Sequence, residues 1–478
     1  MKKTLLFLLI IFSWFLPPAQ AEIRTFVHTV RQPFSGSQSP DDAEAAAIHK
    51  AKREVLEEAG SYLETLTIVE DGRLTKDQVL ALAGGILNTE IVSQKPYTTG
   101  EGYGVIVKVR VRVDSSVLED RVKELISDKT AISQLTIIRK RETELLDKIE
   151  RLEKVNQELA KKNETQTVKK KKEVLKTDFQ QTTKELDAVT LRSQAVKFLW
   201  KWRKDRKHSN LTRTIGLLNK AIELDSNDAL TYGVRGGTCF QLNQFIKAFQ
   251  DLDKAIELNP DSAMTYNNRG VVYAKLNQPI KAFQDYNKAI ELNPDSALIY
   301  NNRGDLYAKL NQPIKAFQDY NKAIELDPGN AMAYNNRGVV YAKLNQHISA
   351  IQDYDKSIEL NPSNADVYNN RGNEYNDLNQ PIRAIQDLDK AIELDPGNES
   401  AYNNRGYAYA KLNQYIRAIQ DYDKVIELNP GSAKAYNSRG IVHINFRRIY
   451  QGCADLKKAC NLGECKGLET VRRLGVCQ

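Results

Sequence analysis

Around residues 103–113 the chain alternates strictly. Val105, Val107, Val109, Val111 and Val113 share one face, and Lys108, Arg110 and Arg112 take the other. That period of two predicts a strand buried on one side. A turn over 96–102 leads back to a second predicted strand near 89–95, and 23–30 is a third candidate. Two helices are signalled between these strands. The first opens at Ser39-Pro40-Asp41-Asp42, with a capping serine, proline at the first helical position and acids against the helix dipole, and is expected to end at Gly60. The second opens at Thr75 with Gln78 three residues on and stops at Gly84-Gly85. Residues 22–130 therefore read as a small α+β domain. His28 and His49 fall in it and are expected at the surface.

Beyond it the period changes. Leu135, Glu142, Ile149 and Asn156 occupy one heptad position, and Ile138, Leu145, Leu152 and Leu159 the other. This 3-4 spacing is that of a coiled-coil seam, in which an asparagine such as Asn156 favours two parallel strands. Residues 131–194 are thus a charged helical or coiled-coil connector. Two readings stand: a homodimer through 135–159, or an amphipathic helix laid on its own chain.

The rest of the chain repeats at 34 residues. Tyr232, Tyr266, Tyr300, Tyr334, Tyr368, Tyr402 and Tyr436 mark the period, each followed four residues later by Gly236, Gly270, Gly304, Gly338, Gly372, Gly406 or Gly440. Ala282 and its equivalents recur in a second helix, and Pro260, Pro294, Pro328, Pro362, Pro396 and Pro430 close the units. In one unit, Tyr266, Tyr273 and Leu276 are expected to be buried by the first helix, with Gly270 admitting the partner helix. Asn277-Gln278 would make the turn and Pro279 would start the second helix, which packs back with Ala282, Tyr286, Ala289 and Ile290. A helical hairpin cannot bury its apolar face alone, so such units stack. Residues 195–228 look like a decayed first unit with Trp202 in the glycine position, 229–446 form the array, and 447–478 a Cys-rich capping segment.

These residues are those of the tetratricopeptide repeat (TPR), which the array resembles closely. The resemblance implies a mainly α fold, a TPR α-solenoid behind a long helix and the small N-terminal α+β domain. It also implies a groove lined by first helices that binds an extended peptide or protein segment. In that family the residue two after the tyrosine position lines the groove; here it is Asn268, Asn302, Asn336, Asn370 and Asn404, then Ser438. The ladder is similar to that of O-linked N-acetylglucosamine transferases, and amides can both donate to and accept from a peptide backbone. The other reading is that these asparagines only join repeat to repeat. Asn267, Asn301, Asn335, Asn369 and Asn403 precede them, and the variable Val271, Asp305, Val339, Asn373 and Tyr407 would tune specificity. Met264, Leu298 and Met332 stand where a carboxylate-clamp TPR has lysine, which disfavours acidic C-terminal tails as ligands. The N-terminal domain resembles that of flagellar assembly protein T and related envelope lipoproteins in its Ala-rich helix from Asp42 to Ala59, Val69 to Leu74, Gly84-Gly85 and the closing valine strand.

Chemistry adds the compartment. Lys2 and Lys3 precede an apolar run from Leu5 to Leu16, closed by Pro17-Pro18 and Ala19-Gln20-Ala21. Residues 1–21 read as a signal peptide cleaved between Ala21 and Glu22, with an uncleaved anchor as the alternative. That predicts an exported protein of a bacterial periplasm or cell envelope, peripheral to membranes at most. Cys453, Cys460, Cys465 and Cys477 then read as two disulfides with three possible connectivities, with zinc as the rival; Cys239 is a buried lone thiol. The net charge of +8 is uneven: residues 131–228 carry +8 and 441–478 carry +4, while 1–130 and 229–440 are each −2. Lysines 169–172 have no aromatic residues between them to stack bases, so no nucleic-acid partner is expected. No two histidines sit at helical ligand spacing, and no nucleophile–base pair or phosphate-cradling loop occurs. We therefore expect no enzyme, cofactor or metal site. The predicted function is a non-enzymatic envelope scaffold; the alternative is an N-terminal domain that binds a small molecule or glycan, with repeats serving oligomerisation.

Overall fold

The computed structural model describes residues 23–34, 38–64, 83, 87, 89–99, 102–114 and 129–477. The expected signal peptide with its Ala21/Glu22 junction, the 69–74 segment and the helix expected from Thr75 lie outside these residues, save Ala83. Two compact units are present, dividing after Pro260.

The first unit begins with a three-stranded antiparallel sheet of β1 (Ile23–Phe34), β2 (Thr89–Thr99) and β3 (Gly102–Asp114), in the order β1-β3-β2. The valine strand β3 is central, and all five of its valines are buried. Pro96, expected in the turn, is paired within β2 opposite Val105. Proline lacks an amide donor but is tolerated there, because β2 pairs on one side only. Helix α1 (Pro40–Glu64) covers the valine face with Ala43, Ala47, Ala51, Val55 and Ala59, residues short enough to let helix and sheet approach closely. It begins as expected: Ser39 Oγ accepts the Asp42 amide at 3.1 Å. It does not end at Gly60 but runs four residues further, since glycine in a buried helix face weakens the helix without stopping it.

Helices α2 (Lys129–Ala160) and α3 (Gln166–Asp205) fold back on one another, with Thr165 capping α3. The heptad residues Leu135, Ile138, Leu145, Ile149, Asn156 and Leu159 are buried within the chain. Their burial within the chain is that of an amphipathic helix laid on its own chain, the second of the two readings. One hydrophobic core runs from the β3 valines through α2 and α3 to Leu211 and Leu218 of α4 (His208–Leu224). The end of α3, with Trp202 in that core, supplies the first helix of the decayed repeat; Thr214 Oγ1 of α4 lies 3.4 Å from the Ala195 carbonyl. The hairpin of α5 (Ala229–Gln241) and α6 (Phe245–Leu258) closes this unit, with Cys239 buried and unpaired by any disulfide. His49 is a correction to the surface reading: it is 3% exposed on α1, with Nε2 3.0 Å from Asp187 of α3.

The second unit is a run of hairpins: α7 (Ala263–Lys275) with α8 (Pro279–Leu292), α9 (Ala297–Lys309) with α10 (Pro313–Leu326), and α11 (Ala331–Lys343) with α12 (His347–Leu360). It continues with α13 (Ala365–Asp377) and α14 (Pro381–Leu394), α15 (Glu399–Lys411) and α16 (Tyr415–Leu428), then α17 (Ala433–Asn445) and α18 (Ile449–Asn461). Each part of the repeat has a physical task. Ser262, Asn330, Asn398 and Ser432 cap first helices, and Pro279, Pro313 and Pro381 begin second helices. Asn277, Asn311, Asn345, Asn379 and Asn413 make the tight turn with φ of 55–57°, a conformation asparagine adopts at small cost. A Cβ on Gly270 would lie 2.8 Å from the ring of Tyr286, so the glycine does let the two helices meet. Ala282, Tyr286 and Ala289 are buried as expected, Tyr266, Tyr273 and Ile290 partly so. Leu276 is not: it follows the last turn of α7 and is 36% exposed.

A short helix, α19 (Lys466–Arg473), ends the unit, placing Leu468 and Val471 over Leu456. Disulfides Cys453–Cys477 and Cys460–Cys465 hold it, one of the three connectivities the spacing allowed.

Candidate functional site

In the second unit, first helices of successive hairpins wall a cavity of about 430 Å³. Helix α13 contributes Asn369, Asn370, Asn373 and Glu374; α15 contributes Glu399, Ser400, Asn403 and Asn404. Val339, Ala342 and Lys343 of α11 and Lys434 of α17 close its two ends. Five of the asparagines singled out from the 34-residue period therefore come together. They do so because a spacing of 34 returns each residue type to the same face of the next first helix.

The ladder is also internal. Asn302 Nδ2 donates to Asn267 Oδ1 at 2.9 Å, Asn336 to Asn301 at 3.3 Å, Asn370 to Asn335 at 3.2 Å and Asn404 to Asn369 at 3.0 Å. Within a repeat, Asn267 donates to Asn268 and Asn335 to Asn336. The repeat-to-repeat reading of these residues is thus part of the structure. It does not use up the amides, since a carboxamide that donates once retains a second N–H and its carbonyl lone pairs. Asn267 and Asn301 are buried and their following asparagines only partly covered, whereas both members of the pairs Asn369/Asn370 and Asn403/Asn404 that line the cavity are partly covered. Ser438, at the end of the ladder, is hydrogen-bonded to Tyr422.

Among the variable positions, Asn373 lies in the cavity and donates to Asp377 at 3.3 Å. Asp305 pairs with Lys309 at 2.6 Å, and Tyr407 is 45% exposed beneath the Lys411 ammonium. The exposed Met264 and Met332 keep lysine from the clamp position there, but Lys434 holds the equivalent place in the cavity wall. With Lys343, Glu374 and Glu399 it makes the cavity mixed in charge, suited to a backbone and polar side chains more than to one formal charge.

The periodic Arg–Asp pairs did not emerge from the sequence reading. Arg269 holds Asp285, Arg303 Asp319, Arg337 Asp353, Arg371 Asp387, Arg405 Asp421 and Arg439 Asp455, each through Nε and Nη2 at 2.7–2.9 Å. A further nitrogen reaches the preceding hairpin: Arg371 Nη1 to Asp355, Arg405 to Asp389 and Arg439 to Asp423. The hydrogen bond to Asp353 raises the Arg337 pKa against the burial that lowers it. Each arginine also lies over the repeat tyrosine, Arg337 at 5.5 Å from the Tyr334 ring centre. The signal was present, an arginine before every period glycine and an aspartate sixteen residues on, but the pair joins two helices and no single-helix pattern exposes it.

The tetratricopeptide repeat profile matches residues 263–296, 297–330, 331–364, 365–398 and 400–432, and a second TPR repeat profile matches 236–277. No curated protein matches the chain. Among solved structures, YrrB, described as a TPR protein with an unusual peptide-binding site, is 27% identical over 39% of this chain and 97% of its own, with a TM-score of 0.34. PilF of Pseudomonas aeruginosa is 21% identical over 44% of this chain and 97% of its own, TM-score 0.40. Cut9, solved with Hcn1 as an APC/C heterotetramer, is 16% identical over 66% of this chain and 65% of the other, TM-score 0.49. No helix among the described residues is long and apolar enough to cross a membrane. Profile matches, 34-residue hairpins and the close approach of each period glycine to its second helix agree: residues 236–432 are tetratricopeptide repeats, a fold that serves protein–protein interaction.

Proposed function

We propose that the second unit receives an extended protein segment along the amide-lined cavity between α11 and α17, and that the chain is a non-enzymatic scaffold of the bacterial envelope. The observation that carries the reading is the gathering of Asn369, Asn370, Asn373, Asn403 and Asn404 in one cavity with Lys343, Lys434, Glu374 and Glu399. Spaced donors and acceptors on a wall of rigid helices match the repeating N–H and C=O groups of an extended chain. The compartment is supported by the two disulfides of the C-terminal cap, which an oxidising environment maintains.

A displayed library of unstructured peptides, panned on the chain lacking residues 1–21, tests the receptor reading. Selected peptides should bind wild type and lose at least tenfold in affinity for Asn373→Ala/Lys434→Ala. Both side chains line the cavity but lie outside the inter-repeat amide ladder, so folding should survive the change. Peptides that bind the double variant as well as wild type would place recognition elsewhere.

A further inference from the structure

Two adjacent repeats depart from the others at three places that meet in space. At 269–275 and 337–343 the first helices read R-G-V-V-Y-A-K, whereas at 371–377 the same stretch reads R-G-N-E-Y-N-D. Glu374 stands where Val272, Leu306, Val340, Ala408 and Val442 are buried in the other repeats, and it too is buried, its side chain 5% exposed. Asp377 stands where Lys275, Lys309, Lys343 and Lys411 end their helices. The third departure is His347 at the start of α12, in the place of Pro279, Pro313 and Pro381.

These three side chains belong together. His347 Nδ1 lies 2.8 Å from Glu374 Oε2, and one donor atom from each of His347, Glu374 and Asp377 falls within 4.8 Å of the other two. A carboxylate in an otherwise apolar position of a helical repeat is costly unless something compensates its charge. In the neighbouring hairpins the fold uses an aliphatic residue here, so stacking does not require the acid. A fourth departure, Asn376 in the place of Ala274 and Ala342, is buried with a carboxamide oxygen that has no hydrogen-bond partner among the described residues.

We infer that His347, Glu374 and Asp377 form a binding site for a divalent transition-metal ion of the zinc class. One neutral imidazole and two carboxylates offer mixed nitrogen and oxygen donors with two negative charges, the complement of a dication. Metal–ligand bonds of about 2.0–2.2 Å require donor atoms roughly 3 Å apart. The His347–Glu374 pair already has that separation, and the exposed Asp377 carboxylate closes the remainder by rotation. Three protein donors leave coordination positions open. Glu374 also lines the amide cavity, so the ion would sit in the wall of that cavity. The site stands independently of what the cavity binds. A search for paired ligands on one helix misses it, because the histidine and the acids come from different helices, 27 residues apart at the nearest.

The test is calorimetric titration of the metal-free chain lacking residues 1–21 with Zn²⁺, with Co²⁺ absorption as a second readout of the donor set. Wild type should bind one high-affinity ion per chain. Glu374→Val, His347→Pro and Asp377→Lys each restore the residue used by other repeats, so the hairpins should fold. Each should weaken binding at least tenfold and remove the metal-dependent rise in unfolding temperature. A wild type that binds no ion would show the cluster to be a hydrogen-bonded pair only. Undiminished binding in the three reversions would place the ion elsewhere. Either result overturns the inference.

Discussion

Lys197 shows what a single residue costs the first unit. It lies on α3 near Glu142 and Lys52, and burial lowers its pKa from 10.5 to about 8, Glu142 offsetting part of that and Lys52 adding to it. Between those two values the unfolded chain binds more protons than the folded one, so this residue makes stability rise with pH there. Below pH 8 the full cost of holding the charged ammonium is present. Lys197→Met should therefore raise stability at pH 7 by about 1–3 kcal/mol, and the advantage should vanish by pH 10.5. Chemical denaturation of wild type and variant across that range measures the difference. The difference is the quantity to follow: burial raises Tyr286, Tyr320, Tyr354 and Tyr422, which lowers the stability of every variant alike once free tyrosines ionise near pH 10. At this scale the sequence was partly legible. Cys239 was readable as a buried thiol from its place in the repeat. His49 was not, because its partner Asp187 lies 138 residues away on α3.

At the scale of the element, the hairpin is set by the close approach of the period glycine to its second helix, against a tyrosine at Gly270, Gly304, Gly338 and Gly406 and a leucine at Gly372 and Gly440. A Cβ on Gly338 would lie 2.7 Å from the Tyr354 ring, and one on Gly406 would lie 3.1 Å from Tyr422. Tyr354 and Tyr422 are both buried and have little room to give. Gly338→Ala should cost about 1–3 kcal/mol through overpacking, and Gly406→Ala clearly less; thermal unfolding of the two variants beside wild type checks the order. Equal costs would mean that the ring contact is not what the glycine serves. The periods of two, seven and thirty-four residues made most elements legible. They could not say what an apolar face meets: the heptads of α2 look the same whether they face a second chain or α3. The Arg–Asp pairs illustrate the same limit, since each residue is periodic but the pairing is a property of two helices.

For the molecule as a whole, each unit has its own logic. The first joins sheet, long hairpin and decayed repeat through one core. The second gains stability hairpin by hairpin and ends in a disulfide-held helix that covers its last apolar face, as a solenoid end requires. The candidate site was legible in its periodic part, the asparagines, because duplication keeps them on one face. Its aperiodic Glu374, and the His347 and Asp377 that stand beside it outside the cavity lining, became visible only once the departures from the repeat were placed in space. The central claim is that the amide-lined cavity receives a protein segment. Its most direct test is site-specific photo-crosslinking in the native cell, with a photoreactive residue at Asn373 in the cavity or at the exposed Gln420 of α16. Mass spectrometry of the adducts should find a discrete protein segment joined at 373 and not at 420. No adduct at 373, or the same adducts at both positions, would contradict it.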